Sequence, residues 1–251
     1  MKYLNSFDTQ SEYDAVKQRL KTPNVSLIDE DGHVEYIQYV PPIVDGHEYV
    51  EIDGIKWATM NLGADRVTDY GLYFAWGETS GYTPAQIGTS SGQRAFKWEE
   101  YKYWTGDTGS GSSGVTKYNS DDGKVTLEAS DDPVTAAWGE NWRMATAEEF
   151  ASLSAATTSA WTNGYNGSVI SGLVLTDKED ETKQLFLPAN GMAYTGRVRS
   201  LGSYSRYWTK TIYSDNPINA ILVTSNDTNI NWRIGDTRYK ALPIRGVVAQ
   251  Q

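Results

Sequence analysis

Residues 49–58 have the sequence YVEIDGIKWA, in which apolar and polar side chains alternate on both sides of the pair Asp53-Gly54. An Asp-Gly pair between two alternating runs is the strongest short signal for a β-hairpin, because a type I′ turn needs a positive φ at both central positions. The stretch therefore predicts two antiparallel strands, at 49–52 and 55–58.

Two short helices are predicted by their capping residues. Asp132 has the character of an N-cap, Pro133 suits the first helical position, and Gly139 ends the same helix. Thr146 and Glu149 have the spacing of a capping box and predict the start of a second helix.

The C-terminal part of the chain favours short strands. They are predicted at 184–188, 207–211, 220–223 and 242–248, with long polar connections between them. Residues 105–114, TGDTGSGSSG, are typical of a flexible loop. The sequence therefore predicts an α+β domain with few helices, many short strands and a large loop fraction.

The first forty-five residues are predicted to form a small helix-hairpin segment. Ser11 is suited to cap a short helix that ends before Pro23, and strands at 25–27 and 34–36 flank the pair at 31–32. We interpret residues 1–45 as an attachment or assembly segment that supports homo-oligomers, and residues 46–251 as the ligand-binding domain.

The composition excludes several classes of partner. The 251 residues carry a net charge of −10 with a pI near 4.7, which opposes binding to nucleic-acid phosphates. No apolar run approaches the ~18 residues of a membrane-spanning helix, and residues 1–8 lack the apolar segment of a signal peptide. The chain has no cysteine, which excludes disulfides and thiolate chemistry. We therefore expect no nucleic-acid partner, no membrane insertion and no signal peptide in this chain.

A series of short blocks in the main domain carries a family signature. In chain order they are WATMNLGA at 57–64, GLYFAWGET at 71–79, KYN at 117–119, DD at 131–132, AAWG at 136–139, WRMAT at 142–146 with Glu149, FLPA at 186–189 with Gly191, YW at 207–208 and IRGV at 244–247. These blocks, which cover roughly residues 48–248, resemble the Fibrobacter succinogenes major paralogous domain family.

The resemblance implies a C-type-lectin-like fold of the formylglycine-generating-enzyme branch. It also implies an overlap with the variable proteins of diversity-generating retroelements in Bacteroidetes phages and prophages. In such folds the two ends of the domain come together, so we expect the hairpin at 49–58 near the final strand. The sequence departs from the family pattern at 241–247, ALPIRGV, where the usual ending is Gly, any residue, Ser, Val, Arg, Pro, Val. It also has Met144-Ala145-Thr146 in place of Met-Pro-Thr.

Most of the conspicuous side chains are predicted to be structural. Four tryptophans beside glycine or alanine are expected in the core: Trp57, Trp76, Trp138 and Trp142. Arg143 and Arg245 are expected to anchor loops through carbonyls or carboxylates, and Glu149 to cap a helix. Arg238 aligns with a position that the family pattern keeps, and we expect it to brace the last strand.

The sequence offers no complete metal or catalytic site. The acidic pairs at 121–122 and 131–132 lack the alternating oxygen ligands of a calcium loop. The two histidines, His33 and His47, are not near a Ser and Asp arrangement of the triad kind, and neither a phosphate loop nor a zinc motif occurs. We expect no catalytic residue, no metal and no cofactor, and hence no enzyme.

The region from 202 to 239 has a composition typical of recognition surfaces. Tyrosine supplies rigid contact area, and serine and asparagine supply adaptable hydrogen bonds. The same residue types result when adenines in asparagine codons are mutated. Ten residues are predicted to bind a ligand on one exposed face: Tyr204, Arg206, Tyr213, Asp215, Asn216, Asn226, Asn229, Asn231, Arg233 and Asp236. Tyr204, Tyr213 and Arg233 are expected to contribute most.

The leading hypothesis is a ligand-binding display protein with a variable C-terminal recognition surface. It would be a phage or prophage receptor-binding protein, virion-associated or at the cell surface, with a protein or glycan ligand on a cell surface. One alternative is a surface or fimbrial adhesin domain that is not diversified. Another is a structural tail or assembly subunit whose polar loops bind nothing.

Overall fold

The computed structural model describes residues 42–106 and 114–249, together with the backbone of two N-terminal strands, β1 (Val25–Ile28) and β2 (Val34–Ile37). These strands pair antiparallel, which confirms the predicted N-terminal hairpin. The predicted helix after Ser11, the turn at 31–32 and most of the loop at 105–114 lie outside the described residues. The chain divides into two compact units, Met1–Pro42 and Ile43–Gln251, whereas the sequence placed the boundary between 45 and 46.

The second unit combines many short strands with short helices among its described residues. The strands are β3 (Ile43–Val44), β4 (His47–Ile52), β5 (Ile55–Asn61), β6 (Phe74–Ala75), β7 (Trp142–Met144), β8 (Thr157–Thr162), β9 (Gly172–Asp177), β10 (Gln184–Pro188), β11 (Met192–Tyr194), β12 (Arg197–Arg199), β13 (Ser205–Ile212), β14 (Asn219–Ser225), β15 (Ile230–Thr237), β16 (Ala241–Leu242) and β17 (Arg245–Val248). The α-helices are α1 (Pro133–Trp138) and α2 (Ala147–Ala156). This content confirms the predicted α+β class.

A five-stranded sheet, in the order β3-β4-β5-β17-β7, brings the early hairpin next to the last strand. Tyr49 lies opposite Ala58 in the hairpin, and Asp53 and Gly54 have φ values of 51° and 70° in its turn. Val247 of β17 lies opposite Trp57 of β5. Both the hairpin and its predicted position beside the final strand are confirmed.

The remaining sheets of this unit are β10-β9-β8, β12-β11-β16-β6 and β13-β14-β15. The strand predicted at 184–188 is confirmed as β10, and those at 207–211 and 220–223 lie within β13 and β14. The single strand predicted at 242–248 is wrong, because the chain leaves β16 at Pro243 and enters β17 in another sheet. Proline has no N–H to donate to a ladder, so the strand is interrupted there.

Both predicted helix starts are confirmed. Asp132 Oδ1 accepts a 3.0 Å hydrogen bond from the N–H of Val134 at the start of α1. Thr146 and Glu149 form the complete capping box of α2. No helix in the described ranges is both long enough and apolar enough to cross a membrane.

Two hydrophobic cores lie on either side of β13. Trp208 packs into a first core with Trp76 and Trp142, and Tyr207 packs into a second core with Trp57. Successive side chains of a strand point to opposite faces, which explains this division. Three of the four tryptophans predicted for the core are fully buried, whereas Trp138 is only half-buried.

Candidate functional site

The sheet β13-β14-β15 continues beyond the first core as a partly exposed surface. Arg206 lies opposite Thr224 on β14, and Thr224 lies opposite Asn231 on β15. Side chains that lie directly opposite each other share a face. We call this surface the Arg206 face and define it by Tyr194, Arg199, Tyr204, Arg206, Thr224, Asn231, Asp236 and Lys240.

Arg206 packs on an aromatic ring and keeps part of its hydrogen-bonding capacity unused. Its guanidinium carbon lies 4.3 Å from the centroid of the Tyr204 ring, and its Nε lies 3.4 Å from Thr224 Oγ1. Neither Nη atom bonds a described residue. Burial lowers the pKa of Arg206, against the opposing influence of Tyr204, Asp236 and Tyr194. The guanidinium is therefore a partly desolvated cation whose Nη donors are available to a ligand.

Two further cations lie beside the Tyr194 ring. Lys240 Nζ lies 5.1 Å from the centroid of this ring and 2.5 Å from Asp236 Oδ1. The guanidinium carbon of Arg199 lies 4.7 Å from the same centroid. With Arg206, three cations accompany one carboxylate on the Arg206 face, whereas the whole chain has a net charge of −10.

The structure distributes the ten predicted residues over several places instead of one common face. None of the ten is fully buried. The Arg206 face contains Tyr204, Arg206, Asn231 and Asp236, the opposite side of the sheet contains Tyr213 and Arg233, and the two turns of the sheet contain Asp215, Asn216, Asn226 and Asn229. The expected single surface is thus corrected to a smaller group on one face.

A β-bulge separates Arg233 from the Arg206 face. Trp232 and Arg233 together oppose the single residue Val223, so the alternation of β15 changes phase there. Arg233 Nη1 lies 3.3 Å from Glu148 Oε1 at the start of α2. Both side chains are largely exposed, which makes this a surface ion pair of small energetic value.

Tyr213 also lies on the α2 side of the sheet. Gly235 lies opposite Ile221 on β14. The sequence neighbours of Ile221, Ala220 and Leu222, belong to the first core, so Ile221 points to the other side of the sheet. A Cβ added to Gly235 would lie 3.0 Å from the Tyr213 ring, so the ring covers this glycine. Tyr213 therefore packs on the face opposite Arg206.

The two turns lie at opposite ends of β14. Asp215 and Asn216 belong to the turn before this strand, and Asn226 and Asn229 to the turn after it. The strand has seven residues, which at about 3.3 Å per residue separates the turns by about 20 Å. The Asn226 side chain accepts hydrogen bonds from the N–H groups of Thr228 and Asn229, so it shapes its own turn.

Tyr194, Arg199 and Lys240 were not among the predicted site residues. Composition directed the prediction to the region from 202 to 239. Strands β11 and β12 precede this region, and Lys240 follows it. The stretch MAYTGRVR at 192–199 alternates around Gly196, which indicates a hairpin. That alternation is a sequence signal sufficient to predict Tyr194 and Arg199 on one face of the hairpin.

A cluster of partly exposed aromatic rings adjoins the Arg206 face, and we call Trp98, Trp104 and Tyr239 the aromatic cluster. The ring centroid of Trp98 lies 4.5 Å from that of Trp104 and 4.8 Å from that of Tyr239. All three side chains are half-buried, and neither their indole N–H groups nor the Tyr239 hydroxyl bonds a described residue. Tyr239 immediately precedes Lys240, and Phe96, two residues before Trp98, accepts a 3.2 Å hydrogen bond at its carbonyl from the N–H of Thr195, which follows Tyr194. The cluster therefore lies beside the Arg206 face.

The other conspicuous arginines are structural, as predicted for Arg143 and Arg245. Arg245 is fully buried and donates to the carbonyls of Ala58 and Phe186 at 2.9 and 2.8 Å. Arg143 pairs with Glu149 at 2.6 Å. Arg238 is fully buried as well, but it does not brace the last strand.

Arg238 instead ties together two loops that are distant in sequence. Its guanidinium donates to the carbonyls of Lys117, Tyr118 and Pro217 at 2.9 to 3.0 Å, and its Nε donates to the Tyr101 hydroxyl at 2.9 Å. Planar guanidinium groups suit this role because they offer five donors in fixed directions.

In the acidic pairs at 121–122 and 131–132, the carboxylates of Asp122, Asp131 and Asp132 accept hydrogen bonds from the protein itself. Asp131 bonds Lys102, Lys117 and Tyr118, and Asp132 bonds Lys210 in addition to capping α1. Asp122 accepts from backbone N–H groups of its own turn. These carboxylates therefore stabilise loops.

The histidine that the structure describes has a packing role. The His47 ring stacks on Trp138 with 4.1 Å between the ring centroids. Burial lowers the pKa of His47, although Asp45 counteracts the effect. His33 lies outside the described residues.

No family model, curated protein or solved structure matches the chain. At the candidate site, Arg206 combines partial burial, a rigid aromatic support and donors that no described residue uses.

Proposed function

We propose that this protein is a ligand-binding display protein whose recognition surface is the Arg206 face. In this proposal the second unit has a C-type-lectin-like fold of the formylglycine-generating-enzyme branch, and the pairing of β5 with β17 supports that assignment. The protein acts as a phage or prophage receptor-binding protein, on the virion or at the cell surface, and its C-terminal surface is diversified by a retroelement.

The proposal depends on the partial burial of Arg206 and on the donors of its guanidinium group that no described residue bonds. Burying part of a guanidinium costs solvation free energy, which is recovered only when its donors find partners. The described residues provide a ring beneath the group and one long hydrogen bond, and leave the Nη atoms free. A ligand that bonds these atoms gains affinity, as arginines at the centres of recognition surfaces do.

The arrangement of β13 and β14 supports diversification. Trp208 and Leu222 fix the strands by packing into the first core, whereas Arg206 and Thr224, on the same face further along, are only half-buried. Substitutions at partly exposed positions outside the packed core change the free energy of unfolding by about 1 kcal/mol or less. The scaffold therefore permits changes at the recognition positions without loss of the fold.

The coding DNA tests the diversification. We expect a reverse transcriptase gene nearby and a near-copy of the C-terminal coding stretch. The two copies should differ at adenines in the codons of Tyr204, Arg206 and Asn231, and agree in the codons of Trp208 and Leu222. If neither the gene nor the copy exists, a non-diversified adhesin domain replaces this part of the proposal.

Binding to intact cells tests the recognition surface. Fluorescently labelled full-length protein is applied to a panel of intact gut Bacteroidetes strains, and we expect at least one strain to be stained. The double variant Tyr204→Ser with Arg206→Gln should lose the staining. The matched variant Tyr213→Ser with Arg233→Gln, on the α2 side, should keep it. Equal behaviour of the two variants would remove the Arg206 face as the site, and no staining of any strain would favour the structural-subunit alternative.

A further inference from the structure

The charge of the Arg206 face selects for an anionic ligand. Arg199, Arg206 and Lys240 accompany the single carboxylate of Asp236, so the face is locally positive. The chain as a whole carries a net charge of −10. A positive surface on an acidic protein concentrates anions at that place and repels them elsewhere.

The geometry of Arg206 favours a carboxylate over a point-like anion. The Tyr204 ring packs on one face of the guanidinium group, and Thr224 Oγ1 accepts a hydrogen bond from its Nε at 3.4 Å. The two Nη atoms then form an open edge. A planar carboxylate can bond such an edge with two parallel hydrogen bonds, which adds directional specificity to the charge interaction.

The aromatic cluster beside this face has the chemistry that binds sugar rings. Its half-buried rings present π-faces, whose negative potential attracts the polarised C–H groups of a pyranose. The indole N–H groups of Trp98 and Trp104 bond none of the described residues, and such donors suit sugar hydroxyls. Lys97 and Glu99, on either side of Trp98, are exposed and offer further polar contacts.

We infer that the Arg206 face and the aromatic cluster together bind an oligosaccharide that contains uronic acid. Arg206 bonds the carboxylate of one sugar unit, Lys240 and Arg199 add positive charge beside it, and another unit stacks on the aromatic cluster. This inference rests on the proposed function and names the class of its ligand.

Calorimetric titration of the full-length protein with oligogalacturonate tests the inference. We expect measurable binding that weakens as salt is added, because exposed charges are screened. A neutral cello-oligosaccharide of the same length should bind at least about tenfold more weakly, the equivalent of 1.4 kcal/mol. Equal binding of both sugars would overturn the role of charge. If a heparin-derived oligosaccharide binds and oligogalacturonate does not, the ligand group that Arg206 binds is a sulfate instead of a carboxylate.

Five variants assign the contacts. Arg206→Gln should weaken the binding of oligogalacturonate at least about tenfold, and Arg206→Lys should also weaken it, because lysine keeps the charge but loses the planar fork. Arg233→Gln removes the same charge on the α2 side and should leave affinity within about twofold, since this exposed pair lies on the other face. Trp98→Ala should weaken binding, and Trp98→Phe, which keeps a stacking ring, should restore most of it. Affinity that depends equally on Arg206 and Arg233 would contradict the inference.

The cell-binding experiment separates this inference from the proposed function. Staining of cells without any binding of oligogalacturonate would overturn the uronic-acid ligand and leave the display function standing. If neither staining of cells nor binding of oligogalacturonate is observed, the display function and the uronic-acid ligand are both overturned. Far-UV circular dichroism of each variant establishes that it is folded before its affinity is compared.

Discussion

The guanidinium of Arg206 lies over the ring of Tyr204, with 4.3 Å between the guanidinium carbon and the ring centroid. Between them, Ser205 is buried, and its one hydroxyl proton is shared between the carbonyls of Leu187 and Pro188, whose oxygens lie 2.6 and 2.9 Å from Oγ. Successive residues of a strand point to opposite sides. Because Ser205 points into the protein, Tyr204 and Arg206 both point to the other side of the sheet. Ser205 fixes the backbone, so the outward side chains are free to serve recognition.

Substitution at the outward and inward positions should therefore have different effects on stability. We expect Arg206→Gln to lower the free energy of unfolding by about 1 kcal/mol or less, since it removes a partly exposed cation–π contact. We expect Ser205→Ala to lower it by about 1–3 kcal/mol, because the buried hydroxyl proton that the carbonyls of Leu187 and Pro188 share is lost. Urea denaturation of both variants measures the difference, and a larger loss for Arg206→Gln would mean that the arginine has a structural role.

The elements that the sequence predicted correctly depend on local chemistry. The Asp53-Gly54 turn requires positive φ at both residues, and the caps at Asp132 and Thr146 bond N–H groups within three residues. Such features are complete within a short stretch of chain, so their residue types identify them.

The elements that could not be predicted depend on distant partners. The bulge that sends Arg233 to the α2 side exists only because the register between β14 and β15 shifts between Leu222 and Thr224. The break between β16 and β17 reflects pairing with two different sheets. The Arg206 face also needs Tyr194 from β11, and composition alone does not show which strands meet in space.

Arg238 should be among the side chains on which stability depends most. Arg238→Met would leave the carbonyls of Lys117, Tyr118 and Pro217 without their donors. We expect a loss of about 3–5 kcal/mol in the free energy of unfolding. Thermal and urea denaturation measure this loss, with Arg233→Met as the control, for which we expect about 0.5 kcal/mol or less. Similar melting of the two variants would show that the loops hold together without the arginine.

Asp131 should make stability depend on acid pH. Burial alone would raise the pKa of its carboxyl group, but hydrogen bonds from Lys117, Tyr118 and Lys102 dominate and lower it. A group whose pKa is lower in the folded state stabilises the fold above its unfolded pKa, near 3.9. This contribution is lost as the pH falls through the folded-state pKa.

The variant Asp131→Asn tests this dependence. We expect it to be less stable than the parent by about 2 kcal/mol at pH 7, and the difference to shrink as the pH falls below about 4. Urea denaturation at a series of pH values provides the measurement. A difference that stays constant down to strongly acidic pH would show that the carboxylate charge contributes nothing.

Removal of divalent cations should leave the melting temperature unchanged. The carboxylates of Asp122, Asp131 and Asp132 are occupied by backbone N–H groups and lysines of the same chain. A calcium ion would need several of these oxygens free. Thermal denaturation with and without a chelator measures the effect, and a drop of several degrees on chelation would reveal a bound ion at these loops.

Asp236 provides a test in which affinity should rise. Among the eight residues that define the Arg206 face, it alone carries a carboxylate, which pairs with Lys240 and lies near Arg206. An incoming uronate meets repulsion from this charge and competes with it for the cations. We therefore expect Asp236→Asn to bind oligogalacturonate a few-fold more tightly and with a steeper dependence on salt. The stability cost should be about 1 kcal/mol or less, because the lost ion pair is partly exposed.

Glu148→Gln is the control for this prediction. It removes a carboxylate from the α2 side and should leave the affinity for oligogalacturonate unchanged. An affinity that falls in Asp236→Asn would mean that Asp236 positions Lys240 for the ligand, or contacts the sugar itself, rather than opposing it.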